Sequence, residues 1–233
     1  MNWSQFKEEL AKIHLFITDE QMNQFQKYCA LLKEWNEKIN LTAITDEEEI
    51  IEKHFYDSLR SAEVFSYDDQ SLLDVGSGAG FPGIPLKIMF PDLFVTLLEP
   101  TGKRVNFLNE VIQSLSLKQI VTINMRAEDY VKKARSYYDI VTARAVSQLS
   151  TLVELCAPLL KVNGTMIALK GMKGKEEHLM ATHALEELCL SLTMMQEWEL
   201  TKGDQRVNLF YKKIKENPIK YPRPYGQMKK KPL

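Results

Sequence analysis

Three glycines at alternate positions form the most informative short pattern in the sequence. Gly76, Gly78 and Gly80 follow a short apolar run and precede a stretch with helical spacing. Glycine permits the tight turn of a nucleotide-binding strand–turn–helix unit and lets a ligand approach the backbone. Glu99 ends the next apolar run, 25 positions after Asp74, where an acidic side chain can accept hydrogen bonds from ribose hydroxyls. The pattern therefore predicts a site for an adenosine-containing ligand.

The surroundings of the loop favour one class of such ligand. No Walker lysine follows the glycines, which excludes a P-loop site for ATP. The third glycine stands one position earlier than in the dinucleotide pattern G-x-G-x-x-G, and the roughly 150 residues that follow complete one sheet instead of adding a substrate domain. An acid before the glycines, a distal Glu, five strand–helix units and a final hairpin resemble the class I S-adenosylmethionine-dependent methyltransferases.

That resemblance implies roles for residues of the cofactor site. Asp74 and the backbone of Gly76–Gly80 would face the methionine half of S-adenosylmethionine, and Glu99 would hold the ribose. The pair Ala127-Glu128, after the third predicted strand, would border the adenine. The alternative for this pair is a plain helix N-terminus, where the helix dipole favours Glu.

The sequence offers few residues that could act on a methyl acceptor. Amine methylation tends to need an Asn/Asp-Pro-Pro-aromatic turn after the fourth strand, which here runs into "TARAV" at 142–146. Pyrimidine C5 methylation needs a cysteine thiolate, and Cys156 and Cys189 lie in predicted helices with nothing nearby in sequence to lower their pKa. An acceptor with a free lone pair, such as guanine N7, needs no base.

Two cations are the candidate catalytic residues. Arg144 follows the fourth predicted strand and Lys170 follows the fifth, and doubly wound folds hold their active sites at the carboxyl ends of the strands. If the acceptor is guanine N7, neither cation can bind O6 and N7 of the guanine together, because N7 must stay free to attack the methyl group. Each could instead contact O6, a phosphate or the cofactor's carboxylate. The alternative is that both are surface cations at strand ends.

Hydrophobic periodicity predicts the elements that position these residues. Residues 1–65 have helical spacing and form an N-terminal helical cap, with capping patterns at Thr18/Gln21 and Thr45/Glu48. Residues 66–216 alternate strands with helices, which indicates an α/β fold: a Rossmann-like, doubly wound methyltransferase sheet that ends in an antiparallel hairpin. Residues 217–233 are predicted to be an irregular, basic, proline-rich tail. The predicted strands are 72–75, 94–98, 120–124, 138–142, 165–169, 194–201 and 206–214, and the helices between them are 83–90, 102–116, 128–135, 150–161 and 176–192.

Composition bounds the location and the partners. The three cysteines, Cys29, Cys156 and Cys189, are isolated, without disulfide or zinc spacing, so we expect buried thiols, a cytoplasmic protein and no metal. No signal peptide or membrane-spanning stretch is recognisable, so we expect no membrane association. Residues 1–70 carry 15 acidic and 7 basic side chains, whereas residues 204–233 carry 9 basic and 2 acidic ones. The basic end indicates either a polyanionic partner or a solvated tail.

Seven stretches, in order along nearly the whole chain, carry a closer resemblance. They are "WNEKINLTAITDEEEIIEKHFYDSL" at 35–59, "LLDVGSGAGFPGIPLKI" at 72–88, "KRVNFL" at 103–108, "RAE" at 126–128, "YDIVTARAV" at 138–146, "ALKG" at 168–171 and "KYPRPYG" at 220–226. Together they resemble the GidB (RsmG) family of bacterial 16S rRNA guanine-N7 methyltransferases. The resemblance implies a cytosolic enzyme that methylates N7 of a guanine in the decoding-region loop of 16S rRNA.

The same resemblance implies individual contacts. Cofactor contacts fall on Gly76, Phe81, Ala127, Glu128 and Arg144. The sequence departs from the family at "EPTG", residues 99–102, where relatives often have Asp-Ser, and we expect the ribose contact to survive on a shifted backbone. His54 and Asp57 also match the family pattern, and a hydrogen-bonded join between the helical cap and the sheet is the favoured role for both.

The partner predicted by the family is 16S rRNA, bare or in a 30S particle. Basic residues would contact phosphates and make binding sensitive to salt, and two tyrosines could stack on bases. Two rivals remain: a small-molecule methyltransferase with a helical lid, and an RNA-binding module without catalysis. The candidate RNA contacts are Lys212, Lys213, Lys215, Lys220, Arg223 and Lys229–Lys231, with Tyr221 and Tyr225.

Overall fold

A computed structural model describes residues 1–144 and 147–233, and the chain divides into two compact units. The first unit comprises residues 1–70 and 77–124, and the second comprises residues 71–76 and 125–233. The described residues contain seven strands, two in the first unit and five in the second, together with helices. None of the described helices combines the length and the apolar character needed to cross a membrane. The predicted α/β class is confirmed, while the predicted domain boundaries stay a prediction.

The first unit is rich in helices, as the spacing of its apolar residues predicts. Its centre is an aromatic cluster in which Phe25 contacts Phe6 and Phe55, with ring centroids 5.3 and 5.2 Å apart. Two strands pair in parallel, with Val95 opposite Ile120. Its elements are α1 (Trp3–Lys12), α2 (Asp19–Ile39), α3 (Glu47–Ile50), a π-helical turn (Ile51–Tyr56), α4 (Asp57–Leu59), a 3-10 turn (Arg60–Glu63), α5 (Gly83–Met89), β2 (Phe94–Leu98), α6 (Gly102–Ser114) and β3 (Ile120–Ile123).

Helix capping follows the sequence with one correction. The box predicted at Thr18/Gln21 is present at the start of α2. The cap predicted at Thr45 is wrong, because the side chain of Asp46 accepts from Glu49 N at 3.0 Å and begins α3 one residue later. Thr45 and Asp46 are each followed by a Glu three residues later, so the spacing of the capping pattern could not show which of them is the N-cap. Asp is the stronger N-cap residue of the two.

The second unit contains the strands that carry the predicted catalytic residues. Its strand order is β1-β4-β5-β7-β6, with β1 and β5 parallel to β4, and β7 antiparallel to both β5 and β6. The antiparallel hairpin predicted at the end of the sheet is therefore confirmed. Its elements are β1 (Ser71–Val75), α7 (Ala127–Ala134), β4 (Tyr138–Arg144), α8 (Leu149–Cys156), a 3-10 turn (Ala157–Leu159), β5 (Leu160–Gly171), α9 (Gly174–Met180), α10 (Thr182–Glu187), β6 (Leu190–Glu199), β7 (Gln205–Lys213) and α11 (Tyr225–Lys230).

Several predicted segments of the second unit differ from the structure, including the strand predicted at 194–201, which begins at Leu190 and ends at Glu199. The helix predicted at 150–161 is shorter, because β5 begins at Leu160. The helix predicted at 176–192 divides into α9 and α10, and Cys189, with a φ of 57°, separates α10 from β6. The end of the chain is not irregular throughout: residues 225–230 form α11, and the side chain of Met228 is fully buried.

Candidate active site

The glycine turn of the first unit is bound by the side chain of Glu99. Gly78 and Gly80 have φ angles of 59° and 96°, a region that glycine enters without steric cost. The backbone N–H of Gly78 donates to Glu99 Oε2 at 3.0 Å, and the N–H of Thr101 donates to Oε1 at 2.9 Å. Glu99 is only 2% exposed. The carboxylate is therefore fixed where the sequence places it, directly after β2.

Glu99 keeps the capacity to bind a nucleoside. A carboxylate has about four acceptor sites; the two backbone N–H groups use two of them, and Arg104 Nη1 lies 3.9 Å from Oε1 without a hydrogen bond between them. The others suit a pair of ribose hydroxyls, so the chemistry of this group fits the predicted contact, which stays a prediction. Pro100 is exposed and does not prevent the Thr101 N–H from reaching the carboxylate.

Gly80 has a packing role that sequence reasoning missed. A Cβ at this position would lie 2.6 Å from Ile84 Cδ1 and 2.7 Å from the Tyr28 hydroxyl. That hydroxyl donates to the carbonyl of Ala79 within the same turn. The third glycine of the pattern thus makes room for a tyrosine from α2. No local signal shows this, because Tyr28 lies 52 positions away in the sequence.

Phe81 joins the glycine turn to the helices of the first unit. Its ring is 4% exposed and stacks on His54, with centroids 4.6 Å apart and planes 17° from parallel. His54 belongs to the π-helical turn, and its Nε2 lies 2.9 Å from Thr42 Oγ1. The contact of His54 with the glycine turn is therefore a ring stack, and the hydrogen-bonded join to the sheet expected for this residue stays a prediction. Asp57, also expected to join the helices to the sheet, is 4% exposed at the start of α4.

Asp74 and Gly76 lie at the end of β1 in the second unit. Asp74 is fully buried and stands opposite Thr142 of β4. Gly76, with a φ of 70°, follows the strand directly. Both residues therefore lie at the carboxyl end of a parallel strand, where doubly wound folds bind ligands, and their cofactor contacts stay predictions.

Ala127 and Glu128 open α7, as the alternative interpretation of this pair requires. Ala127 is buried, and Glu128 is half-buried in the first helical turn, 3.9 Å from Arg126 Nη1. The helix has no side-chain cap, and a carboxylate in its first turn is favoured by the dipole. The helix start is thus established, and the adenine contact of this pair stays a prediction.

Arg144 and Lys170 lie at the carboxyl ends of β4 and β5. Arg144 pairs in register with Leu169, which places it beside Lys170 along the sheet edge. Arg144 is half-buried. Ala145 and Val146, which complete the "YDIVTARAV" stretch, lie outside the described residues.

Lys170 is not an exposed surface cation. Its side chain is 7% exposed, and its Nζ lies 2.7 Å from both Glu177 Oε2 and the carbonyl of Ser147. The same Glu177 oxygen accepts from Leu149 N at 2.8 Å. Lys170 and Glu177 thus bind the backbone of Ser147 and of Leu149, the first residue of α8, and one of the three ammonium N–H groups is left for a further partner.

Comparison with known proteins decides the family. The model of the GidB family, rRNA small subunit methyltransferase G, matches residues 21–206. The chain belongs to this family. It is 46% identical over 232 residues to the ribosomal RNA small subunit methyltransferase G of Streptococcus agalactiae serotype III (strain NEM316), covering 98% of each chain. A protein of that name from Bacillus cereus is 46% identical over 237 residues, covering 100% of this chain and 99% of the relative.

Solved structures show the same fold at low identity. A SAM-dependent methyltransferase from Aquifex aeolicus matches 73% of this chain and 96% of its own, with a TM-score of 0.56 and 17% identity. TYW2 of M. jannaschii, solved in complex with AdoMet, matches 68% and 77%, with a TM-score of 0.54 and 17% identity. The predicted Rossmann-like methyltransferase fold is confirmed. As a GidB family member, the chain is an S-adenosylmethionine-dependent rRNA methyltransferase.

The cysteines of this GidB family member are unsuited to nucleophilic catalysis. All three are free and buried, as predicted. Burial raises the pKa of the Cys29 thiol to about 12. The pKa of the Cys156 thiol is raised even more than that of Cys29. Burial is the larger cause, and the negative charge of Asp74 is the second. Since the thiolate is the reactive form, neither residue can supply the attacking group that pyrimidine C5 methylation requires.

The basic end of this GidB family member divides into buried and exposed residues. Lys213 is fully buried and donates to the carbonyl of Leu160 at 2.7 Å. Tyr221 is 3% exposed, and Arg223 is paired with Glu154. The predictions that Lys213 and Tyr221 bind RNA are wrong, because both side chains are buried. Arg223 is partly exposed, and its RNA contact stays a prediction. The candidates that stay accessible are Lys212, Lys215, Lys220, Tyr225 and Lys229–Lys231.

Proposed function

We propose that this chain transfers a methyl group from S-adenosylmethionine to N7 of a guanine in the decoding-region loop of 16S rRNA, in the cytoplasm. The observation that carries the proposal is the pair of cations, Arg144 and Lys170, at the carboxyl ends of β4 and β5 in a GidB family member. This edge offers N–H donors for binding a substrate, including the one on Lys170 that its bonds to Glu177 and Ser147 leave over. The thiols of Cys29 and Cys156 are held in the protonated form.

Guanine N7 is the acceptor that this set of groups serves best. S-adenosylmethionine, when bound, supplies an electrophilic methyl group. N7 carries a free lone pair, so no proton has to leave when its bond to carbon forms, and no general base is required. The contribution of the protein is then proximity and in-line orientation, which can supply about 7–11 kcal/mol of a reaction barrier.

The chain's own residues have distinct tasks in this proposal. Glu99 holds the ribose hydroxyls with the acceptor sites that its two backbone bonds leave open. Arg144 and Lys170 contact O6 of the guanine, a phosphate or the cofactor's carboxylate, and leave N7 open. The other proposed cofactor contacts are those predicted from the sequence, namely Asp74, Gly76, Gly78, Phe81, Ala127, Glu128 and Arg144.

The acceptor is tested by methylating ribosomal RNA from a strain that lacks this gene. The purified chain and labelled S-adenosylmethionine are mixed with bare 16S rRNA or with 30S particles. Borohydride reduction and aniline cleavage then map any N7-methylguanine. We expect one methylated guanine in the decoding-region loop of at least one substrate. Label at another nucleotide would overturn the site, and transfer to small molecules alone would favour the rival class of methyltransferase. Tight RNA binding with no transfer to either substrate would favour a binding module.

A further inference from the structure

The direction of β7 separates the basic residues near the end of the chain into two sets. Because β7 runs antiparallel to β5, its last residues lie away from the edge that carries Arg144 and Lys170. Lys212 stands opposite Thr165, five strand positions before Lys170 and therefore about 17 Å from it along the strand. Lys215 lies beyond the end of β7. These lysines are carried away from the proposed acceptor site.

The chain then returns along the helices of the second unit. Residues 214–233, which we term the strap, contact three different elements in turn. The side-chain amide of Asn217 donates to the carbonyl of Leu188, directly after α10. The Tyr221 hydroxyl donates to Glu187 Oε2 at 2.9 Å, and Arg135, directly after α7, donates to the carbonyl of Tyr221. The strap is therefore held along its length.

The strongest anchor of the strap is an ion pair with α8. Arg223 donates through Nε to Glu154 Oε1 at 2.8 Å and through Nη2 to Oε2 at 2.6 Å, and its backbone N–H donates to Oε1 at 2.8 Å. The Glu154 side chain is fully buried. A two-pronged arginine–carboxylate pair fixes orientation as well as distance, so Arg223 sets the direction in which the strap continues.

The strap ends beside the proposed catalytic edge. Pro232 and Leu233 line a cavity of about 240 Å³ together with Gln148 and Glu177. Glu177 is the residue that binds Lys170. The run Lys229–Lys231 directly precedes this end, is exposed, and has no ion-pair partner in the described part of the chain.

We infer that the strap positions Lys229–Lys231 at the edge of the sheet that holds Arg144 and Lys170, where they bind phosphates of the RNA strand next to the methylated guanine. This inference rests on the proposed function. It gives the "KYPRPYG" stretch a role as the anchor of a phosphate-binding arm. The inference also separates the accessible lysines into a set near the methylated guanine, Lys229–Lys231, and a set far from it, which includes Lys212 and Lys215.

Two charge-matched triple variants test the division. One replaces Lys229, Lys230 and Lys231 with Gln, and the other replaces Lys212, Lys215 and Lys220 with Gln. Binding to a hairpin of the 16S decoding loop is measured across a salt series, together with kcat and KM for methylation. Each lost phosphate contact lowers the salt slope by about 0.7–0.9. We expect the 229–231 variant to lose about two units of slope and to raise KM about tenfold or more, and the other variant to show less than half of either effect.

The outcomes separate this inference from the proposed function. Methylation of 16S rRNA by the unaltered chain supports the function whatever the variants do. Equal losses in the two triple variants, or a greater loss in the 212/215/220 variant, would overturn the strap inference alone. If the unaltered chain neither binds nor methylates the RNA, both fail.

A second variant tests whether Arg223 acts by positioning. Replacing Arg223 and Glu154 together with Gln removes the anchor without leaving a buried charge unpaired. We expect KM for RNA to rise in this variant, as in the 229–231 variant, with kcat nearly unchanged. Combining the two sets of changes should add less than twofold to the increase in KM, because both remove the same contacts. Fully additive losses would show that Arg223 supports only the stability of the fold.

Discussion

At the scale of single residues, the site combines groups that serve the fold with groups free to serve a ligand. Glu99 belongs to both kinds, since its carboxylate ties down Gly78 and Thr101 and keeps acceptor sites open. Gly80 belongs to the first kind, because Tyr28 and Ile84 occupy the space that a side chain would need. Packing therefore explains one glycine of the pattern, Gly80, without any ligand.

Replacing Gly80 with Ala should destabilise the protein strongly. The change forces an L-residue to a φ of 96° and places a methyl group 2.6 Å from Ile84. Strained backbone alone costs about 1–3 kcal/mol, and thermal denaturation should show a lower Tm. Gly226→Ala is the matched control, because nothing lies within 4 Å of its Cβ position. Equal Tm values for the two variants would contradict the packing role of Gly80.

Replacing Glu128 with Ala should weaken cofactor binding, whereas replacing Asp129 with Ala should not. Both carboxylates lie in the first turn of α7, so each loss removes a similar helix-dipole interaction of about 0.3–1 kcal/mol. Only Glu128 is proposed to contact the cofactor. Calorimetry with S-adenosylhomocysteine should show at least a tenfold weaker Kd for Glu128→Ala, and a smaller change for the control. Arg144→Ala should resemble Glu128→Ala, and normal binding by both would refute these contacts.

At the scale of elements, one carboxylate ties together the beginnings of three strands. Asp139 of β4 accepts from Ser71 N at 3.0 Å at the start of β1, and from Lys161 Nζ at 2.7 Å near the start of β5. Burial opposes ionisation, but the hydrogen bonds from Lys161 and Ser71 outweigh it and lower the pKa of Asp139. The ionised form therefore stabilises the strand arrangement.

The lowered pKa of Asp139 predicts acid sensitivity. The ionised carboxylate adds stability above its unfolded-state pKa of about 3.9. That contribution is lost as the pH falls through the lower folded-state pKa. Urea denaturation between pH 5 and 2.5 should show that Asp139→Asn is less stable than the parent at pH 5 and that the gap narrows at lower pH. A constant gap would contradict this prediction, and Asp129→Asn serves as an exposed control.

Element boundaries show which features the sequence could predict. The strand Phe94–Leu98 is predicted correctly because Pro91 and Glu99-Pro100 bound a compact apolar run. The early start of β5 is missed because Asn163-Gly164 resembles a turn, yet Asn163 takes a φ of 64° inside the strand. The anchor between Arg223 and Glu154 is missed because 69 positions separate them, so no local pattern links them.

At the scale of the whole molecule, family and chemistry are predictable while the partners of single side chains are not. The order of seven short stretches identifies the GidB family, which the match over residues 21–206 confirms. A motif gives the types and the order of the residues that a reaction requires, so it can be found in the sequence alone. Lys170 is predicted at a strand end correctly, but its pairing with Glu177 depends on how α9 packs, which spacing does not encode.

Cofactor binding should stabilise the whole chain. A ligand that binds only the folded state adds about 2.7 kcal/mol at 100 times its Kd, which for a chain of this size corresponds to a Tm increase of about 5–10 °C. Thermal denaturation with S-adenosylmethionine or S-adenosylhomocysteine should show this increase. Adenosine diphosphate serves as the comparison, and an equal response to all three would contradict a methyltransferase site.

The position of β7 has a consequence for synthesis on the ribosome. It is the last strand of the second unit in sequence, yet it lies between β5 and β6. Until residues 205–213 emerge, the backbone groups of β5 and β6 that β7 will pair have no partner strand. Such open edges can pair with other chains. The nascent protein is thus exposed to misassociation at β5 and β6 until β7 has emerged and paired with both.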